Sequence, residues 1–275
     1  AYYEFTQALT AIMQTLGEGY AIHKQDIFVR KQFNDESGIN HEFLSESYFK
    51  YFNGRNYTES TCYLTITQES KGSRLFSYDN KKWKEFLVKV RKVHDQLRDA
   101  GLRVRYLSKT EASGYVDRYF AMNFKDKIIS MSNYKVDGET ISMGGRTAKV
   151  YSLIDVDHTN LPSIIRPYTN IEVNNVSMPV DLLSVIDSIP HADTVIYNQI
   201  VYLPNQKREL SMLDKKKNRH ASIPNPSNQM AVEDIKKVQE VVARENKQLT
   251  YTHFNLIVSV PEDTDIQKCT NHLEN

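Results

Sequence analysis

Ile141-Ser142-Met143-Gly144-Gly145-Arg146-Thr147-Ala148-Lys149-Val150-Tyr151 carries the reading of the fold. Short apolar runs flank the Gly144-Gly145 pair. Adjacent glycines between such runs signal a tight hairpin, because a two-residue type I′ turn needs positive φ at both central positions. Two antiparallel strands are therefore expected here, inside a stretch from Ile128 to Ile154 that keeps to short extended runs.

Upstream, the pattern alternates between helical and extended spacing. Phe5, Leu9, Ile12 and Leu16 recur at helical period and stop at Gly17 to Gly19. Tyr20 to Phe33 reads as a strand with one covered face around Ile27, Phe28 and Val29 and one wet face, since the rest of it is polar. Leu44, Tyr48, Tyr51 and Phe52 predict a helix broken at Asn53-Gly54, and Cys62, Leu64 and Ile66 a second strand. Trp83, Phe86, Leu87, Val90, Val93 and Leu97 form the stripe of a long amphipathic helix that Gly101 ends. A strand at Leu102 to Leu107 is expected next. Ser108 and Glu111 then make a capping box for a helix burying Tyr115, Val116, Tyr119 and Phe120.

Downstream of the hairpin, Pro179 suits the first turn of a helix carrying Leu182, Leu183, Val185 and Ile186. Thr194 to Leu203 is the clearest strand. Pro204 to Asn228 is polar and holds three prolines, so it reads as a long exposed connection. Ala231, Ile235, Val238 and Val242 return to helical period; Phe254, Leu256, Val258 and Val260 alternate as a last strand, before another helix in Asp263 to Asn275. Strands separated by helices, with a hairpin among them, point to an α+β protein. Two lobes of mixed or antiparallel sheet with packed helices, ferredoxin-like in part, are expected at residues 1–125 and 126–275. The chain opens directly on a helical pattern and closes in one, so it reads as a fragment with neighbours on both sides.

Composition narrows the function. Of 275 residues 40% are hydrophobic and 25% charged, which suits a folded domain. Lys and Arg number 35 against 34 Asp and Glu, so nucleic acid or an acidic membrane could be bound only through a local patch. Cys62 and Cys269 match no metal-ligand spacing and read as reduced thiols in a reducing compartment. No apolar run approaches the roughly 18–20 residues that span a bilayer.

Candidate chemistry resolves into decoys. Gly138 to Thr147 has the wrong glycine spacing for a phosphate loop and Arg146 where lysine belongs. Asp155, Asp157 and His158 lack a second cluster to complete a metal shell. His23 and Asp26 point to opposite faces of their strand, so acid-base cooperation is disfavoured. Basic residues Lys81, Lys82, Lys84, Lys89, Arg91 and Lys92 read as the solvated face of the Trp83 helix. The loop at 215–220, with Lys215, Lys216, Lys217 and Arg219, is the better candidate for an anionic partner because it lies on a flexible connection. A nucleic-acid-binding module acting through helix 81–92 and this loop is the alternative reading.

The strand His23-Lys24-Gln25-Asp26-Ile27-Phe28, followed by Phe43-Leu44-Ser45, Tyr51-Phe52-Asn53 and Cys62-Tyr63-Leu64, resembles TraG-type proteins of conjugative transposons, which belong to the type IV secretion ATPase family. The likeness extends through the Gly144 hairpin, Tyr197-Asn198-Gln199 and the final helix-strand pair. It implies a non-catalytic region preceding a motor domain, whose Walker motifs, ATP and Mg would lie beyond Asn275. It also implies docking to inner-membrane components of the secretion channel, a cytoplasmic location peripheral to that membrane, and homo-oligomerisation through the full-length protein. No catalytic, cofactor-binding or metal residue of the family maps onto this chain. The segments Glu69 to Trp83 and Met131 to Asp137 are shorter than their relatives.

Overall fold

The computed structural model describes residues 2–34, 43–69, 79–131, 133–152, 168–173, 176–181, 184–223, 225–245 and 247–274. In chain order its elements are α1 (Tyr2–Leu16), β1 (Tyr20–Gln32), α2 (Phe43–Phe52), β2 (Asn56–Gln68), α3 (Asn80–Asp99), α4 (Lys109–Phe120), β3 (Lys135–Asp137), β4 (Thr140–Met143) and β5 (Arg146–Ser152). These are followed by β6 (Tyr168–Val173), β7 (Val176–Asp181), α5 (Ser184–Asp187), β8 (Thr194–Tyr202), α6 (Gln206–Ala221), α7 (Pro226–Glu245), β9 (Tyr251–Pro261) and α8 (Gln267–Glu274). The protein is α+β, with a seven-stranded antiparallel sheet in the order β2-β1-β8-β9-β5-β4-β3 and a separate β6-β7 ribbon. Among the described residues no helix is long and apolar enough to cross a membrane.

The chain divides into two compact units. One comprises Ala1–His23, Leu64–Tyr106 and Ile200–His253; the other comprises Lys24–Tyr63, Leu107–Gln199 and Phe254–Asn275. Four of the five boundaries fall inside β1, β2, β8 and β9, and each unit is assembled from segments distant in sequence, which local periodicity cannot register.

In the first unit α1 packs on α3. Ile12 and Leu16 meet Val93 and Leu97, together with Tyr20, Ile22 and Leu203, in one buried cluster. Gly17 ends α1 at φ +72, a left-handed conformation that a Cβ disfavours, and its N–H donates to Met13 O at 2.9 Å. Gly101 ends α3 in the same way: Gly101 N–H donates to Arg98 O at 2.9 Å and Leu102 N–H to Leu97 O at 3.1 Å. That closure removes the expected strand at 102–107, where the chain is neither helix nor strand. Leu102 N–H is committed to the helix end, and Val104 N–H donates to Leu102 O at 3.1 Å while its side chain packs on the core.

The expected connection at 204–228 is mostly the helix α6, packed against α7. Proline misleads here because it flanks the helix. Pro204 precedes the cap, Pro226 opens α7, and residues 206–221 contain neither proline nor glycine. Asn205 caps α6, its side chain accepting Arg208 N–H at 2.8 Å.

In the second unit, β4 and β5 form the hairpin that Gly144-Gly145 signals, with Met143 opposite Arg146 and both glycines at positive φ (58 and 77). β5 pairs antiparallel with β9, Ala148 opposite Ser259. Alternation along the strands feeds two clusters. Val258 and Val260 pack with Ile186, Ile189, Val195 and Cys269, whereas Ile257 faces Ile27, Val29 and Ile196. Phe28 joins the first cluster and Ile27 the second, so the expectation of a wet face on β1 fails in this unit. The capping box on α4 is present, with Ser108 Oγ accepting Glu111 N–H at 3.3 Å and Glu111 accepting Ser108 N–H at 2.8 Å. Its apolar stripe is narrower than expected: Tyr115 and Tyr119 pack inward, while Val116 and Phe120 are exposed. Pro179 is in β7 opposite Asn170 rather than in a helix. A two-stranded ribbon has only edges, where a missing N–H is tolerated. Leu182 and Leu183, and the side chain of Phe5, lie outside the described residues.

Candidate functional site

The basic residues singled out by sequence sit on rigid elements. Lys215, Lys216 and Arg219 are exposed on α6 rather than on a flexible loop. Lys217 is not available as they are: its Nζ donates to Asp214 Oδ1 at 2.8 Å and to Gln239 Oε1 of α7 at 2.9 Å. On α3, Lys81, Lys82, Lys84, Arg91 and Lys92 are exposed, but Lys89 turns inward to Leu16 O and lies 4.3 Å from the Tyr20 ring centroid. The basic run is thus split between solvated cations and one that caps α1.

Gly138 to Thr147 is two strands and two turns, with no helix N-terminus at which a phosphate could rest. Arg146 is 7% exposed and engaged on both sides, with Nη1 on Asp193 Oδ2 at 2.5 Å and Nη2 on Asp126 Oδ2 at 2.9 Å. The Asp126 carboxyl is held below its ordinary range, first by the Asn123 amide at 2.8 Å, then by Arg146 and Lys125 against the opposing effect of burial. Asp26 is buried and pairs with Lys24, two residues away on the same face of β1. Asp155, Asp157 and His158 lie outside the described residues. Among the described residues no group of three or more His, Cys, Asp or Glu is placed to hold a metal.

Two features escaped sequence reasoning. The first is α2, which contributes no buried residue: Phe43 and Leu44 are 81% and 80% exposed, and Tyr48 and Tyr51 also face solvent. Arg55 stacks over Tyr51, 3.7 Å from its ring centroid, which braces that ring at the surface. Helical spacing identified these positions, but spacing does not say whether a stripe meets the chain's own core or a partner.

The second is a cavity of 490 Å³ in the first unit, with Tyr202 and Tyr251 in its wall. Their rings stack with centroids 6.4 Å apart and planes 14° apart. Tyr202 OH donates to Glu69 Oε2 at 2.9 Å, and Tyr251 OH donates to Glu209. Each carboxylate raises the pKa of the phenol that donates to it. Glu18 accepts Asn205 Nδ2 at 2.7 Å on the same wall. No short motif could have revealed this site, since its residues come from four stretches of sequence.

A scan against protein-family models finds none that matches the chain, and a search of curated proteins finds no match.

Proposed function

We propose that this chain is a docking and assembly domain of a conjugation ATPase of the TraG type, joining the motor to inner-membrane components of the type IV secretion channel. In this reading ATP and Mg are handled by a motor domain following residue 275. The observation that carries it is α2. The residues that carry the resemblance lie mainly on β1, α2 and β2, and α2 spends Phe43, Leu44, Tyr48 and Tyr51 on the surface rather than on the core. Large apolar side chains fixed at the surface by a helix are the material of protein interfaces, whose centres are enriched in aromatic residues.

The test is capture of the channel's inner-membrane proteins by the purified chain, compared with a Phe43→Ser/Leu44→Ser/Tyr48→Ser variant. Capture by the wild type and its loss in the variant, with unchanged thermal unfolding, is the expected result. Equal capture by both, or ATP turnover by the purified chain itself, would overturn the assignment.

A further inference from the structure

None of the described residues lining the cavity beside the Tyr202–Tyr251 stack belongs to α2, and the site has no part in docking as proposed above. We propose that it is a binding site for an organic cation, an ammonium or guanidinium group on an apolar stem. Its volume of 490 Å³ lies within the range of small-molecule sites, about 300–1,000 Å³. Among the described residues its walls carry three carboxylates, Glu18, Glu69 and Glu209, and the guanidinium of Arg208.

Two of those carboxylates are oriented before any ligand arrives. A phenol hydroxyl occupies one acceptor position on Glu69 and on Glu209. A carboxylate offers about four such positions, so acceptors remain for a donor-rich cation. The stacked tyrosine rings add the negative π-face that ammonium and guanidinium groups seek. Pro204 and Met212 supply apolar surface for the stem.

Other ligand classes fit less well. An anion would meet the carboxylates of Glu69 and Glu209 in the wall. A compact metal ion needs several oxygens converging on one point, and among the described residues no such group of acids exists. Acids spread along an aromatic wall suit an extended cation instead. The same chemistry could arrive as a free diamine or as a lysine or arginine side chain of a peptide.

The experiment is calorimetric titration of the full chain at low salt with agmatine, and separately with an N-acetylated, C-amidated peptide whose charged residues are one Arg and one Lys. The variants are Glu69→Gln/Glu209→Gln, Tyr251→Phe, and Asp234→Asn on α7 as a control for net charge. Saturable binding of agmatine that weakens by roughly tenfold or more in the double variant, a loss of about 1.4 kcal/mol, and survives Asp234→Asn supports the site and a free amine as its ligand. Binding of the peptide alone, with the same variant pattern, supports the site and a basic side chain as its ligand. Tyr251→Phe keeps the ring and the carboxylate and loses only the orienting hydroxyl, so it should weaken binding by less than the double variant; it also serves should the double variant fail to fold. No binding of either probe to the wild type, or binding unaltered by these variants, overturns the proposal. Neither result bears on capture of channel proteins through α2.

Discussion

Gln25 on β1 donates from Nε2 to Oδ1 of Asn198 on β8 at 2.8 Å, and both residues are buried. The bond is one link of a chain. Tyr115 OH of α4 donates to Gln25 Oε1, and Asn198 Nδ2 donates to Asn255 Oδ1 of β9 at 2.8 Å. Three strands and one helix of the second unit are thereby tied by side-chain amides. A one-residue slip of any strand would turn its amide to the opposite face, so the chain of bonds also specifies register.

Asn198→Leu is expected to be the most damaging single change in this network, since it removes the acceptor of Gln25 Nε2 and one donor to Asn255 Oδ1. Leaving a buried polar group without a partner costs about 1–3 kcal/mol. Urea unfolding should show a lower midpoint with an unchanged slope, as expected when stability falls but the surface exposed on unfolding does not change. Gln25→Leu should cost less, because Asn198 keeps its bond to Asn255 and Tyr115 OH is only partly buried.

Arg146 is predicted to hold the β4-β5 hairpin to the segments around Asp126 and Asp193. Removing one member of a buried pair leaves an uncompensated charge, typically at about 3–5 kcal/mol; Arg146→Met should fall toward the lower end, since half of Asp126 is open to solvent. The pH dependence follows from the lowered Asp126 pKa. A carboxylate whose folded pKa is depressed contributes stability above its unfolded pKa, near 3.9, and loses it as pH falls through the folded value. Acid titration of stability should therefore show a loss below about pH 4 that is shallower in Arg146→Met and in Asn123→Ala.

Local signals were legible in the sequence, and long-range ones were not. Gly144-Gly145, Gly17, Gly101 and the Ser108–Glu111 box act within a few residues, and each is found where the sequence places it. α6 is hidden in the sequence because the prolines lie at its two ends, where they mimic breaks in a single long connection. The burial of Gln25 and Asp26 was illegible because polar residues enter a core only with partners, and those of Gln25 are Asn198 and Tyr115, 173 and 90 residues away. The Tyr202–Tyr251 cavity was hidden for the same reason: Glu69 and Tyr202 are 133 residues apart.

Lys217 separates stability from binding on α6. Its bonds to Asp214 and Gln239 are partly exposed, so Lys217→Glu should destabilise the first unit by no more than about 1 kcal/mol. Lys215→Glu/Lys216→Glu should leave thermal unfolding unchanged. If the exposed cations of α6 contact nucleic acid, the Lys215→Glu/Lys216→Glu pair should flatten the salt dependence of DNA affinity by roughly two units of slope. If DNA affinity at low salt is absent in the wild type, α6 plays no such part.

Cys62 lies at the surface of the second unit, yet its thiol is predicted to be slow toward electrophiles. Its pKa is pushed up to about 11, first by burial of the sulfur, then by a hydrogen bond to Asp26 and by the charge of that carboxylate, with Lys24 opposing. The thiolate is the nucleophile, so alkylation by iodoacetamide at neutral pH should be slower than for a free cysteine and should climb steeply above pH 9. Asp26→Asn removes the repelling charge and should speed alkylation at pH 8. Cys269 provides an internal reference, being buried with its Sγ donating to Pro190 O at 3.1 Å; it should react only as the chain unfolds. Mass spectrometry resolves the two sites, and rapid labelling of Cys62 at neutral pH would show that Asp26 does not govern its ionisation.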